Sequence, residues 1–178
     1  MITTPAWSKY PTQQPIAEKI ANELGISPII GQILLNRSVK NIYEAKAFIN
    51  KGWTNWGKLP NHDSFTTAML QLIDQNARIC IYGDYDADGV TSTAMMTMIL
   101  TSLGCSVHFI VPHRMNDGYG LNMHRAKDII RHEFDALITL DCGITNGPVI
   151  DWLKSQSPEL QIIVIDHHKC PAQLPNAD

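Results

Sequence analysis

Four short runs decide most of what this chain can become: "RICIYG" (78–83), "SVHFIV" (106–111), "DALITLD" (135–141) and "LQIIVID" (160–166). They are dense in Ile, Val and Leu and lack the alternation of a strand that faces water on one side. Between them lie stretches of helical length, "VTSTAMMTMILTSLG" (90–104), "NMHRAKDIIRHEF" (122–134) and "GPVIDWLKSQ" (147–156). A further helix, "FTTAMLQLIDQ" (65–75), precedes the first run. Strands apolar on both faces and separated by helices belong to a parallel sheet that is covered on both sides. The pattern predicts an α/β fold over residues 61–178: a doubly wound, mainly parallel sheet with helices on both faces.

Residues 1–60 read differently, as a small helical N-terminal segment. "PIAEKIANELG" opens on Pro15 and closes on Gly25, and "SPIIGQILLNR" offers Ser27 as a cap with Pro28 in the first turn. "NIYEAKAFINKG" runs from a cap at Asn41 to Gly52 and places Ile42, Ala45 and Ile49 on one side. "WTNWGKLPNHD" (53–63) is rich in turn residues and reads as a loop. With 44% hydrophobic and 17% charged residues, the composition is that of a globular protein and excludes a disordered chain. The opening "MITTPAWSKYPTQQP" lacks the apolar core of a signal peptide, and no apolar run reaches membrane-spanning length. Cys80, Cys105, Cys142 and Cys170 form no CxxC pair. The expectation is a cytoplasmic protein with reduced thiols and no membrane partner.

In a doubly wound sheet, ligands bind at the carboxyl ends of the strands. The first run ends in Asp84, Asp86 and Asp88, the third in Asp141, and the last in Asp166, His167 and His168. Like charges so close repel, and burying them is costly unless a cation neutralises them. The pattern Asp84-x-Asp86-x-Asp88-Gly89 opens like an EF-hand loop, but its twelfth position is Met95 and a strand precedes it, so calcium sensing fits poorly. Charge is uneven along the chain: 8 Lys/Arg against 5 Asp/Glu before Asp84, and 6 against 12 from Asp84 onward. An acidic half repels a phosphate backbone unless bound cations invert the local field. Several carboxylates with one or two imidazoles suit Mn²⁺, and Mg²⁺ less well. Taken singly, each residue has a plainer reading. Asp88 caps a helix starting near Val90 as readily as it ligates a metal, Asp141 serves as a turn residue before Gly143, and paired histidines are commonly surface residues. Together at strand ends they describe a metal site.

The segments "YGDYDADGVTSTA", "PHRMNDGYGL", "LDCGIT" and "DHH", in this order, resemble the DHH phosphoesterases over residues 53–178. The "GYGL" segment brings the chain nearer to the RecJ-like exonucleases, which degrade single-stranded DNA from the 5′ end, than to the pyrophosphatases and small-oligonucleotide phosphatases of the superfamily. The resemblance implies a two-metal site for Mn²⁺ or Mg²⁺, with Asp84 and Asp86 as ligands and Asp88 as a further candidate. It implies that Asp141 bridges or binds both ions, that His167 ligates, and that His168 touches metal or the scissile phosphate. Asp166 would orient a histidine. In "PHR", Arg114 would bind phosphate, with a surface arginine as the alternative, and Tyr119 would either stack on a base or pack its loop. Asp84, Asp86, Asp141, His167 and His168 would carry catalysis. The implied partners are single-stranded nucleic acid and proteins of DNA repair and recombination. The resemblance also implies a further acidic motif and a second domain beyond Asp178. The expectation is therefore a metal site completed by a ligand not in this chain, which alone would be weakly active or inactive. A small-nucleotide phosphatase or phosphodiesterase of the same superfamily, and a non-catalytic nucleic-acid-binding or scaffold module, are the competing functions.

Overall fold

The structure, a computed structural model, describes residues 10–50 and 59–178, in two units, Met1–Leu59 and Pro60–Asp178. The absence of an apolar leader over 1–9, Gly52 as a helix stop and the loop over 53–58 lie outside the described residues. In the first unit, α1 (Gln14–Leu24), α2 (Pro28–Asn36) and α3 (Ile42–Ile49) surround Ile20, Leu34, Val39 and Ala45. Gly25 ends α1 in the left-handed region, and the Ser27 hydroxyl accepts the Ile29 N–H to start α2. Any side chain at Gly31 would collide with the Ala17 carbonyl, so α1 and α2 meet backbone to backbone. The apolar side expected of α3 is narrower than predicted. The helix stops at Ile49, which is 40% exposed.

The second unit runs α4 (His62–Asp74), β1 (Arg78–Gly83), α5 (Ala87–Ser102), β2 (Ser106–Ile110), α6 (Met123–Arg131), β3 (Ala136–Leu140), α7 (Gly147–Gln156) and β4 (Gln161–Ile165). His62 and Asp63, read as loop from their composition, form the first turn of α4. The strands lie in the order β2-β1-β3-β4, and every pair is parallel. Ile79, Ile81, Ile138, Leu140 and Ile163 point to one face, where they pack on Met69 and Leu72 of α4 and Leu100 of α5. Cys80, Tyr82, Leu137 and Ile162 point to the other, against Ala126 and Ile129 of α6 and Ile150 and Leu153 of α7. Each buried aliphatic side chain contributes about 1.5–3 kcal/mol, which is why these runs dictate the sheet. β2 departs from the expectation. It is an edge strand with Ser106, His108 and Phe109 exposed, so its apolar sequence is only partly covered.

This strand order creates a crevice. The chain leaves β1 for β2 on one side and returns across it to β3, so the carboxyl ends of β1 and β3 lie side by side while their connections diverge. The turn from β1 into α5 is short because two glycines permit it. A side chain on Gly83 would overlap the Thr93 hydroxyl, and a Cβ on Gly89 would lie 2.5 Å from the Asp84 carbonyl oxygen. Helix α5 consequently begins three residues before Val90. The cap is Asp86, whose carboxylate accepts the Gly89 N–H at 3.2 Å, and Asp88 sits inside the first turn instead. Gly89→Ala should therefore cost about 1–3 kcal/mol through backbone overlap. Gly118→Ala, where the φ of 76° is unfavourable but the space is open, should cost only about 1–2 kcal/mol. Denaturant unfolding of the two variants measures both, and a Gly89→Ala protein as stable as the parent would contradict the close approach.

Candidate metal centre

Asp84 is the first residue beyond β1 and is 2% exposed, and its Oδ1 has no hydrogen-bond partner. Asp141 is the first residue beyond β3, 8% exposed, with a left-handed backbone at φ 61° that aspartate tolerates better than most residues. Its N–H donates to the Ile165 carbonyl at 2.9 Å, which extends the β3–β4 ladder by one residue. Neither of its side-chain oxygens receives a hydrogen bond; the nearest basic atom is His167 Nε2, 3.0 Å from Oδ1. Carboxylate oxygens of Asp84, Asp86 and Asp141 lie within 4.8 Å of one another, and so do ligand atoms of Asp141, His167 and His168. Asp141 belongs to both groups. Burial, reinforced by the carboxylates of Asp88 and Asp86, pushes the Asp141 carboxyl above its ordinary range. Asp86 is held below its ordinary range, chiefly by the Gly89 N–H it accepts as helix cap. Asp88 stands at the exposed rim, with Oδ2 3.8 Å from His167 Nε2.

Oxygen-rich, negatively charged and short of hydrogen-bond donors, this cradle fits a divalent cation. Three buried carboxylate oxygens accept no hydrogen bond, and only one of them, Asp141 Oδ1, has a basic group beside it, His167; a hard cation with an adjacent imidazole is the partner they suit. An open cavity of about 370 Å³ adjoins this cradle at Asp141 and is also lined by Asp88, Ser92, Leu140, Ile165, Asp166 and His167.

The second histidine is held from behind. Asp166 accepts the His168 N–H at 3.0 Å and the ring Nδ1–H at 2.7 Å through Oδ1, and the Ile144 N–H at 3.0 Å through Oδ2. A ring whose Nδ1 donates presents a bare Nε2, the tautomer that a metal or a phosphate proton requires. Burial works against the Asp166 charge, but the N–H groups of His168 and Ile144 outweigh it and leave the carboxyl below its usual range. The same hydrogen bond raises His168 above the ordinary imidazole value. The Tyr119 hydroxyl lies 3.1 Å from His168 Nδ1, with the rings edge to face at 5.6 Å. In this structure Tyr119 packs its loop against the histidine. Burial, with Asp166 nearby, pushes its hydroxyl up to about 12.

Several residues that build the site carry no sequence signal. Tyr82, buried in β1 and indistinguishable there from an apolar core residue, donates its hydroxyl to the Gly120 carbonyl at 3.0 Å. Asn146 accepts the Leu121 N–H at 3.2 Å. Asp117 accepts the His113 N–H at 2.8 Å and two bonds from Arg125, 3.1 and 3.0 Å. The Arg125 guanidinium accordingly holds the Asp117 carboxyl below its usual range. These bonds pin both ends of "PHRMNDGYGL", so the loop that carries Arg114 and Tyr119 has a defined course. Arg114 itself is exposed, with its guanidinium carbon 4.6 Å from the centre of the Tyr85 ring.

Comparison with known proteins supplies a context for this geometry. Residues 78–178 match the family described as DHH family, N-terminal domain. The single-stranded-DNA-specific exonuclease RecJ of Bacillus subtilis (strain 168) is 30% identical over 173 residues, which span 96% of this chain and 22% of the relative. A crystal structure of exonuclease RecJ bound to manganese superposes with a TM-score of 0.63 at 34% identity, covering 68% of this chain and 31% of that one. The structure of RecJ from Thermus thermophilus in complex with Mn²⁺ superposes with a TM-score of 0.64 at 25% identity, covering 92% and 22%. The chain thus spans about a quarter of the length of the curated relatives it matches.

The Asp166–His168 pair has a pH signature. A raised His168 value means that its contribution to stability is complete below the unfolded imidazole value of ~6.5 and is lost as pH rises through the folded one. A lowered Asp166 value means a contribution complete above the unfolded carboxyl value of ~3.9 and lost as pH falls. The pair therefore stabilises the metal-free protein most between about pH 4 and pH 6.5. In an NMR titration without metal, the His168 ring should titrate above ~6.5, and Asp166→Asn should lower that value. An unchanged value in Asp166→Asn would show that the hydrogen bond does not govern the ring.

Proposed function

The chain belongs to the DHH family, and on that premise we propose that it forms the cation-binding part of a metal-dependent phosphodiester hydrolase, a RecJ-like exonuclease that acts on single-stranded DNA from the 5′ to the 3′ end. The observation that carries the proposal is the set of orphaned carboxylate oxygens, on Asp84 and Asp141, at the ends of two adjacent strands. Asp84, Asp86 and Asp141 would hold Mn²⁺ or Mg²⁺ together with His167, Asp141 serving both groups and Asp88 approaching from the rim. Divalent cations bound there would activate water and neutralise the leaving oxygen in phosphodiester hydrolysis. The remaining roles fall to this chain's own groups. His168, its tautomer set by Asp166, would present Nε2 towards the reacting phosphate or a cation, Tyr119 packs edge to face on the ring with its hydroxyl beside the same Nδ1, and Arg114 would grip phosphate through its N–H edge. RecJ relatives with bound manganese support this assignment of the cradle. Among the described residues no helix is long and apolar enough to cross a membrane. A cytoplasmic location, and partners among DNA repair and recombination proteins, complete the proposal.

Mn²⁺ at about ten times its dissociation constant should raise the melting temperature by roughly 3–6 °C, because a ligand selective for the folded state stabilises it by mass action. Asp86→Ala and His167→Ala should each abolish that rise. In the full-length protein, Mn²⁺-dependent degradation of a single-stranded oligonucleotide should be lost in the same variants. Arg114→Ala should weaken turnover while Mn²⁺ affinity stays nearly unchanged. A melting temperature indifferent to Mn²⁺ and Mg²⁺ would defeat the metal reading, and equal loss of Mn²⁺ affinity and turnover in Arg114→Ala would make that residue structural.

A further inference from the structure

The two arginines of the segment 113–125 are used in opposite ways. Arg125 is committed: the Nε and Nη2 edge of its fork is taken by the Asp117 carboxylate, and Asp128 lies 4.0 Å from Nη1. Arg114, on a turn whose backbone Asp117 fixes through the His113 N–H, has no ion pair among the described residues although the loop beside it is acidic. Its partner is the flat face of Tyr85, the residue between Asp84 and Asp86. We propose that Tyr85 is a positioning residue for phosphate recognition, acting through Arg114: its ring holds the guanidinium by one face beside the metal cradle and leaves the N–H edge free for a phosphate of single-stranded DNA.

The chemistry of the stack favours this division of labour. A carboxylate partner would restrain Arg114 by occupying its donors and cancelling its charge, as Asp117 does to Arg125. An aromatic face restrains it through the ring quadrupole and consumes no N–H group. All five donors of the fork stay available for bidentate contact with phosphate oxygens. The restraint matters because a free arginine side chain loses about 2 kcal/mol of rotamer entropy when it is fixed, and the stack removes part of that loss before substrate arrives. Tyr85 is also tied to the carboxylates directly, since its backbone joins the buried Asp84 to the capping Asp86. The ring that locates the cation of Arg114 is thereby fixed to the residues that would locate the metal.

This inference rests on the phosphodiesterase reading for the identity of the ligand, and a binding measurement separates the two. The probe is a 5′-phosphorylated single-stranded oligonucleotide with hydrolysis-resistant phosphorothioate linkages, titrated in Mn²⁺ against the full-length protein by fluorescence anisotropy. Tyr85→Leu, which keeps bulk but removes the aromatic face, should raise Kd about five-fold. Tyr85→Phe, which keeps the face and removes only the hydroxyl, should stay within about two-fold of the parent. Arg114→Ala should raise Kd at least about ten-fold, and Tyr85→Leu with Arg114→Ala should be no weaker than Arg114→Ala alone, because the ring acts only through the arginine. Mn²⁺ affinity, followed by titration calorimetry, should be the same in all four variants as in the parent. Multiplicative effects in the double variant would show that Tyr85 touches DNA by itself and would overturn the proposal. So would a Tyr85→Leu protein with parental Kd, or one whose Mn²⁺ affinity falls along with oligonucleotide binding. A protein that shows this binding pattern but cleaves no unmodified DNA would refute the hydrolase reading and leave the Tyr85–Arg114 pair standing.

Discussion

Mutual repulsion between the Asp84 and Asp141 carboxylates is the constraint around which the α/β unit is organised. Both are nearly sealed from water, and both have oxygens that no donor of the protein reaches. Even with His167 beside Asp141, two carboxylates buried side by side cost several kcal/mol if both are charged, against a total folding stability of only about 5–15 kcal/mol for a domain of this kind. Strand order makes the cost unavoidable. With β1 and β3 adjacent and parallel, the first residue beyond each strand must lie beside the other. The close contacts of Gly83 with Thr93 of α5, and of Gly89 in α5 with the Asp84 backbone, then bring Asp86 into the same space. A cation at this topological switch point, as proposed, would relieve that liability.

Around that centre the surrounding groups divide into fixed and exposed. Asp166 is buried and binds three N–H groups, so His168 is oriented before any ligand arrives. Tyr119 closes on the same ring, and Tyr82, Asn146 and Asp117 hold the loop that carries it. His167, by contrast, has a 73% exposed side chain, and Asp88 stands in solvent beside it. Preorganisation on one wall and access on the other is what a site must offer if it receives a phosphate chain from solvent.

Much of this was legible in the sequence, for identifiable reasons. The runs 78–83, 135–141 and 160–166 are so rich in aliphatic residues that only a doubly covered parallel sheet suits them, and their ends then align Asp84, Asp141 and Asp166 without further information. β2 misled because an edge strand and a central strand share the same propensities; what separates them is neighbours, which "SVHFIV" does not encode. The helix cap at Asp86 instead of Asp88 was hidden for a similar reason. All three aspartates are good caps, and the choice is made by how closely Gly89 approaches Asp84 in three dimensions. Tyr82 and Tyr85 were illegible in another way. A strand tyrosine reads as core and a loop tyrosine as punctuation, and their partners, Gly120 and Arg114, lie 38 and 29 residues away.

The claim that a cation is the missing partner of the buried carboxylates can be put to one substitution, Asp141→Asn, which retains shape and tolerance of a left-handed backbone while removing the charge. Thermal unfolding of the variant and the parent, each with and without Mn²⁺, is the most direct measurement. The account predicts a crossing: without metal the Asn variant is the more stable, because repulsion has been relieved, and with Mn²⁺ the parent is the more stable, because only it gains. A variant less stable than the parent without metal, yet equally stabilised by Mn²⁺, would contradict it.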